Sequence, residues 1–113
     1  MITVYGIKTC DSVRKALKFF KDNNIEVEFS DLRKDPPSFD TVKFWVEKAG
    51  IDIVFNNRGT KYRDLKLKEL NLNEQGKLEW LCKEPMLVKR PVVKYENNVL
   101  VGFKEEIYKN TFL

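Results

Sequence analysis

An α/β fold, with a central sheet of about four strands and helices on both faces, is what this chain predicts, and three observations carry the prediction. The apolar run Ile2-Thr3-Val4-Tyr5 gives way after a short loop to a helical pattern and then to an alternating strand, a β-α-β opening. Late in the chain two short apolar runs flank the turn residues Glu96-Asn97-Asn98, and a last helical segment follows, a β-β-α ending. Between these two parts the punctuation is that of helices.

The elements follow in order. Val13, Ala16, Leu17 and Phe20 fall at i, i+3, i+4 and i+7 of one helix face, while Arg14, Lys15, Lys18, Lys21 and Asp22 occupy the other. Asn23-Asn24 ends that helix, because Asn tolerates the left-handed cap conformation. Ile25, Val27 and Phe29 then alternate with Glu26, Glu28 and Ser30 as a strand, and a strand-helix-strand unit prefers a right-handed crossover with parallel pairing. Asp35-Pro36-Pro37-Ser38 breaks the pattern, and Ser38 caps a helix carrying Val42, Trp45, Val46 and Ala49 inward until Gly50 stops it. Ile51 to Phe55 reads equally as helix or strand, and a polar loop Asn56-Asn57-Arg58-Gly59-Thr60 follows it. Asn73 caps a helix through Leu78, Leu81 and Cys82 that Pro85 ends. Val92 to Tyr95 and Val99 to Val101 form the hairpin, and Ile107, Tyr108 and Phe112 give the last helix a packing face. These elements suit a thioredoxin-like fold with a helical insertion. The expected layout is one domain, 1–113, with 1–34 and 85–113 forming the core and 35–84 the insertion.

The 113 residues suffice for one core, and 42% hydrophobic with 34% charged residues is ordinary for a globular protein. No apolar run approaches the roughly 20 residues that span a bilayer, and no leader precedes the first strand, so a cytoplasmic protein is expected, with no membrane partner. The net charge of +4 comes from lysines spread along the chain, not from one basic block, which argues against nucleic acid and leaves a small anionic substrate as the partner to expect. There is no histidine, which excludes Cys-His and Ser-His-Asp catalysis, and two cysteines cannot build an all-cysteine zinc site in one chain, so no metal is expected.

Cys10 is the residue that most invites a chemical reading. It stands where the first strand's loop meets the first helix, so the helix N-terminal N–H groups and dipole point at its sulfur and favour thiolate over thiol. Lys8, Arg14 and Lys15 act in the same direction, and Asp11 acts against them. The alternative is a small half-buried residue closing a strand, since free cysteine is among the most buried residue types. Cys82, beside Leu78 and Leu81, reads as a small core residue. Arg58 and Arg90 both lie where a turn can aim a guanidinium into a cleft, one in a Gly-containing loop and one before Pro91; read alone, they are better taken as surface residues, as arginines usually are.

The start Ile2-Thr3-Val4-Tyr5-Gly6-Ile7-Lys8-Thr9-Cys10-Asp11-Ser12, the loop Asn57-Arg58-Gly59-Thr60, the segment Lys89-Arg90-Pro91 and the pair Gly102-Phe103 together resemble the arsenate reductase ArsC/Spx family, most closely its YffB-like branch. The resemblance covers essentially the whole chain. It implies a thioredoxin-like sheet with a helical insertion, Cys10 as nucleophile, Arg58 and Arg90 as binders of an oxyanion, and Pro91 as a cis-proline beside the cysteine. It further implies glutathione as co-substrate with no bound cofactor, glutaredoxin or thioredoxin as the proteins that complete turnover, and, on the Spx side, a regulatory module that contacts RNA polymerase. Two departures stand out. Phe103 occupies the place of the family's third arginine, and Cys10-Asp11-Ser12-Val13 lacks the second cysteine of the Spx redox switch.

Overall fold

The computed structural model describes residues 1–113. In chain order the elements are β1 (Ile2–Gly6), α1 (Asp11–Asp22), β2 (Val27–Asp31), α2 (Phe39–Ala49), α3 (Ile51–Val54), α4 (Thr60–Asp64), α5 (Glu74–Lys83), β3 (Val92–Tyr95), β4 (Asn98–Val101) and α6 (Glu105–Phe112), with short 3-10 turns at Leu67–Leu70 and Pro85–Leu87. They fall into two compact units, one of Met1–Asp31 with Arg90–Leu113 and one of Leu32–Lys89.

The first unit holds the whole sheet, in the order β2-β1-β3-β4. The β1 and β2 strands run parallel, with Ile2 opposite Val27 and Gly6 opposite Asp31, as the α1 crossover demands. The later strand β3 runs antiparallel to both β1 and β4, and Tyr95 pairs with Asn98 across the two-residue turn Glu96-Asn97. Glu96 takes the positive φ of 52° that such a tight turn requires. This is the β-α-β plus β-β-α arrangement of a thioredoxin-like fold.

Helix α1 buries Val13, Ala16, Phe19 and Phe20, a wider stripe than the one its spacing predicts. Leu17 is only half-buried, and Phe19 takes its place because it meets Tyr108 of α6 edge-on at 5.5 Å as well as facing the sheet. Tyr108 is the centre of this core, 1% exposed and ringed by Phe19, Phe20, Phe103 and Phe112. On α6 itself the packing face is narrower than expected: Ile107 is 41% exposed and does not belong to it. Strand β2 starts two residues later than the alternation suggests. Asn24 adopts the left-handed conformation (φ 57°), and the Ile25 N–H donates back to the Phe20 carbonyl at 2.9 Å, so Ile25 belongs to the helix terminus.

The second unit is helical. Ser38 Oγ accepts the Thr41 N–H at 3.2 Å and Asn73 Oδ1 accepts the Gly76 N–H at 2.8 Å, so both expected N-caps form, and Gly50 ends α2 with φ 95°. Its core contains Val42, Trp45, Val54, Leu67, Leu81 and Leu87. The ambiguous run at Ile51 resolves as the short helix α3, and Phe55 makes an isolated bridge to Val88. The Asn56 N–H bonds the Leu87 carbonyl and the Lys89 N–H bonds the Val54 carbonyl, each at 2.8 Å, which ties the entrance of the polar loop to the exit of the unit. The segment from Thr60 to Leu70, to which the sequence pattern assigns no element, forms α4 and a 3-10 turn flanked by left-handed Lys66 and Asn71. No helix of the protein is long and apolar enough to cross a membrane.

Candidate active site

The β1-to-α1 turn builds the candidate site. Gly6 and Ile7 are buried, Lys8 and Thr9 are exposed, and the turn closes when the Cys10 N–H donates to the Ile7 carbonyl at 3.2 Å. The Cys10 carbonyl then accepts the Arg14 N–H at 3.0 Å, the first hydrogen bond of α1. Cys10 is therefore the N-cap of a 12-residue helix, with φ −88° and ψ 126°, and its side chain makes no capping hydrogen bond. The sulfur is half-exposed and free, at the carboxyl end of a central strand, where open α/β sheets place their ligand sites.

The nearby charges are arranged differently from what their order in the chain suggests. Arg14 Nη2 donates to Asp11 Oδ1 at 2.6 Å and reaches the Thr9 carbonyl at 3.4 Å, so it bridges the residues on either side of Cys10. Arg14 and Asp11 are thereby paired with each other at the surface beside Cys10. Lys8 Nζ lies over the Phe29 ring at 5.6 Å, a cation–π contact on the neighbouring strand.

Arg90 and Pro91 enter the same edge of the sheet. Val92 is registered against Tyr5, so Pro91, one residue earlier on the antiparallel strand, comes beside Gly6. The Arg90-Pro91 peptide is cis, Pro91 is buried, and its carbonyl accepts the Gly102 N–H at 2.8 Å. Arg90 is half-buried, with its Nε covered. Phe103 follows Gly102, and its ring stacks edge-on against Tyr108 with centroids 4.7 Å apart. A side chain committed to the aromatic core supplies no anion donor.

Arg58 belongs to the other unit. Its N–H donates to Asn56 Oδ1 at 3.2 Å and its carbonyl accepts Arg63 Nη1 at 2.9 Å, so the turn is pinned from both sides and the guanidinium is exposed. Cys82 lies on α5, half-buried rather than fully in the core, and burial pushes its thiol above the ordinary range. Both cysteines are free. Sequence reasoning missed Gly6, against which α1 packs; the signal available was a glycine ending a strand, seven residues before a β-branched helical position.

Comparison with known proteins agrees with this layout. A Haemophilus influenzae protein of uncharacterised function is 39% identical over 113 residues, covering 99% of both chains. The global transcriptional regulator Spx of Listeria innocua is 27% identical over 94% of this chain and 82% of its own. The solved structure of a YffB protein superimposes with a TM-score of 0.94 at 28% identity, covering both chains completely. Residues 5–111 match the ArsC family, and the chain belongs to that family.

Proposed function

We propose that this protein is a glutathione-dependent monothiol reductase whose nucleophile is Cys10. The observation that carries the reading is the place of Cys10: a half-exposed sulfur at the N-cap of α1, with no capping bond, at the sheet edge that Arg90 and cis-Pro91 also enter. In the proposed reaction the Cys10 thiolate attacks the glutathione sulfur of a mixed disulfide. A new disulfide joins Cys10 to glutathione, and the substrate leaves as a thiolate that takes up a proton. A second glutathione thiolate then attacks the glutathione sulfur of that adduct, releasing oxidised glutathione and restoring Cys10. The substrate sulfur is reduced to a thiol, the one incoming glutathione is oxidised as it joins the glutathionyl sulfur already at the disulfide level, and the net exchange of mixed disulfide and glutathione for free thiol and oxidised glutathione balances.

An external thiol is the natural resolving partner because Val13, not a cysteine, stands three residues after Cys10. Arg90 would hold a glutathione carboxylate or another anionic group, and the resemblance gives Arg58 the same role. Glutaredoxin or thioredoxin would recycle the system. Arsenate is the less favoured substrate. With Phe103 in the place of a third arginine, the loss of one charge-assisted bond, about 1.5–3 kcal/mol, weakens oxyanion binding by roughly ten- to a hundredfold. The test is glutathione-coupled reduction of a glutathionylated peptide. Cys10→Ser should abolish turnover and Cys82→Ala should retain it; undiminished turnover by Cys10→Ser refutes the reading.

A second reading draws on the Spx relative: a non-catalytic module that contacts a protein such as RNA polymerase. Exposed Phe39, Ile53, Leu65 and Leu70, all in the helical unit, favour it. Specific binding of purified RNA polymerase that survives Cys10→Ser, together with absent thiol turnover, would select it.

A further inference from the structure

Gly6 ends β1, Val13 sits in the first turn of α1, and the two approach more closely than any side chain at position 6 allows. A Cβ placed on Gly6 would lie 2.5 Å from Val13 Cγ2, 3.1 Å from Cγ1 and 3.4 Å from Cβ. Atoms of that size do not approach to 2.5 Å, so one side must move. Val13 has little freedom to do so: it is fully buried and β-branched, with essentially one χ1 rotamer open to it in a helix. The first turn of α1 therefore rests on the bare backbone of β1.

The connection between the two is short and closed. Cys10 bonds back to Ile7 at 3.2 Å and forward to Arg14 at 3.0 Å, so a displacement of the first turn is carried directly to Cys10. We propose that the Gly6–Val13 contact is a positioning device for Cys10, setting how far the N-terminus of α1 stands from the end of β1 and how its first N–H groups meet the sulfur. This rests on the reading of Cys10 as nucleophile. A methyl at position 6 would drive the turn outward by about 0.9 Å, the difference between the 2.5 Å approach and an ordinary 3.4 Å contact. Misplacement of about 1 Å slows an oriented reaction by up to about a hundredfold.

The experiment measures the rate of mixed-disulfide formation between Cys10 and oxidised glutathione from about pH 5 to 9 in a Cys82→Ala background. Gly6→Ala should react roughly tenfold or more slowly, with an unchanged circular dichroism spectrum. Gly6→Ala with Val13→Ala should recover, because only the Val13 Cβ position at 3.4 Å then faces the new methyl. Val13→Ala alone removes the two Cγ atoms that rest on Gly6 and should also slow the reaction, so recovery in the double variant, where the new methyl fills that space, separates positioning from a general loss of packing. A folded Gly6→Ala variant with the wild-type rate and profile, or a double variant that stays slow, overturns the proposal. If Gly6→Ala does not fold, Val13→Ala, which deletes the same contact from the other side, must show the slowing, and a wild-type rate there overturns it equally. The nucleophile reading fails on a different result, undiminished mixed-disulfide turnover by Cys10→Ser.

Discussion

Replacing Tyr108 by Phe tests the support beneath the candidate site. The Tyr108 hydroxyl donates to the Gly102 carbonyl at 2.7 Å, and the Gly102 N–H donates to the Pro91 carbonyl at 2.8 Å, so the phenol anchors the strand end that holds Arg90-Pro91. Phe keeps the ring, whose neighbours lie 4.7 to 5.7 Å away, and removes only the oxygen. A neutral hydrogen bond contributes about 0.5–1.5 kcal/mol, and the half-buried Gly102 carbonyl left behind adds a partial desolvation penalty, so Tyr108→Phe should lose about 1–2 kcal/mol at pH 7.

Alkaline pH narrows the difference. Burial raises the Tyr108 phenol above its ordinary value, so the folded protein keeps the proton while the unfolded chain releases it above about pH 10. The stability tied to that proton is fully present below about pH 10 and falls by about 1.4 kcal/mol per pH unit as pH rises toward the folded-state value. Every other titrating group is common to both proteins and cancels in the difference. Urea denaturation of both at pH 7, 10 and 11 should therefore show the deficit of the variant narrowing above about pH 10 and closing near pH 11 to 11.5. A deficit that stays constant from pH 7 to 11 would refute the assignment of the phenol as a buried donor.

Burial also raises the Cys82 thiol, so in a Cys10→Ser background its alkylation by iodoacetamide should follow a pH profile displaced upward from that of a free thiol and return to the ordinary profile in denaturant; coincidence of the native and denatured profiles would contradict it. The stability associated with that thiol persists below its unfolded value and is lost as pH rises through the folded one. Ser38→Ala and Asn73→Ala each remove a side-chain N-cap and should lower stability by about 1 kcal/mol, whereas glycine at either position should lose only a few tenths, both read by thermal unfolding.

Legibility in the sequence followed the length of the periodic signal. The opening β-α-β unit and the hairpin were readable because α1 has a periodic buried face and the apolar runs of β1, β3 and β4 are bounded by turn residues, and α2 and α5 because Ser38 and Asn73 mark their starts with capping chemistry. The turns between Thr60 and Leu70 were not, since helices of four or five residues complete barely one turn and develop no periodicity. Phe19 and Ile107 were misjudged for a related reason: which edge of a helix's stripe is covered depends on the neighbour it meets, and spacing alone does not name Tyr108 as the partner of Phe19. At the candidate site, the thiol's place at a strand-to-helix junction was visible. The pairing of Arg14 with Asp11 and of Lys8 with Phe29 was not, because each is a choice among several partners within reach.

Position 103 shows how the core limits the chemistry at the site. An anion donor there would need a guanidinium where the Phe103 ring now stacks on Tyr108, at a loss of about 0.5–1.5 kcal/mol for the aromatic pair beyond the apolar area given up. Tyr108 in turn holds Gly102, which holds Pro91, so a change at 103 disturbs the support of the edge it is meant to equip. The residue that completes the aromatic core is thereby withheld from anion binding. If Cys10 is the nucleophile, as proposed, a sulfur electrophile would suit such an edge better than an oxyanion, since that reaction depends on the placement of the sulfur and an approach path, and less on a full set of cations around the developing charge.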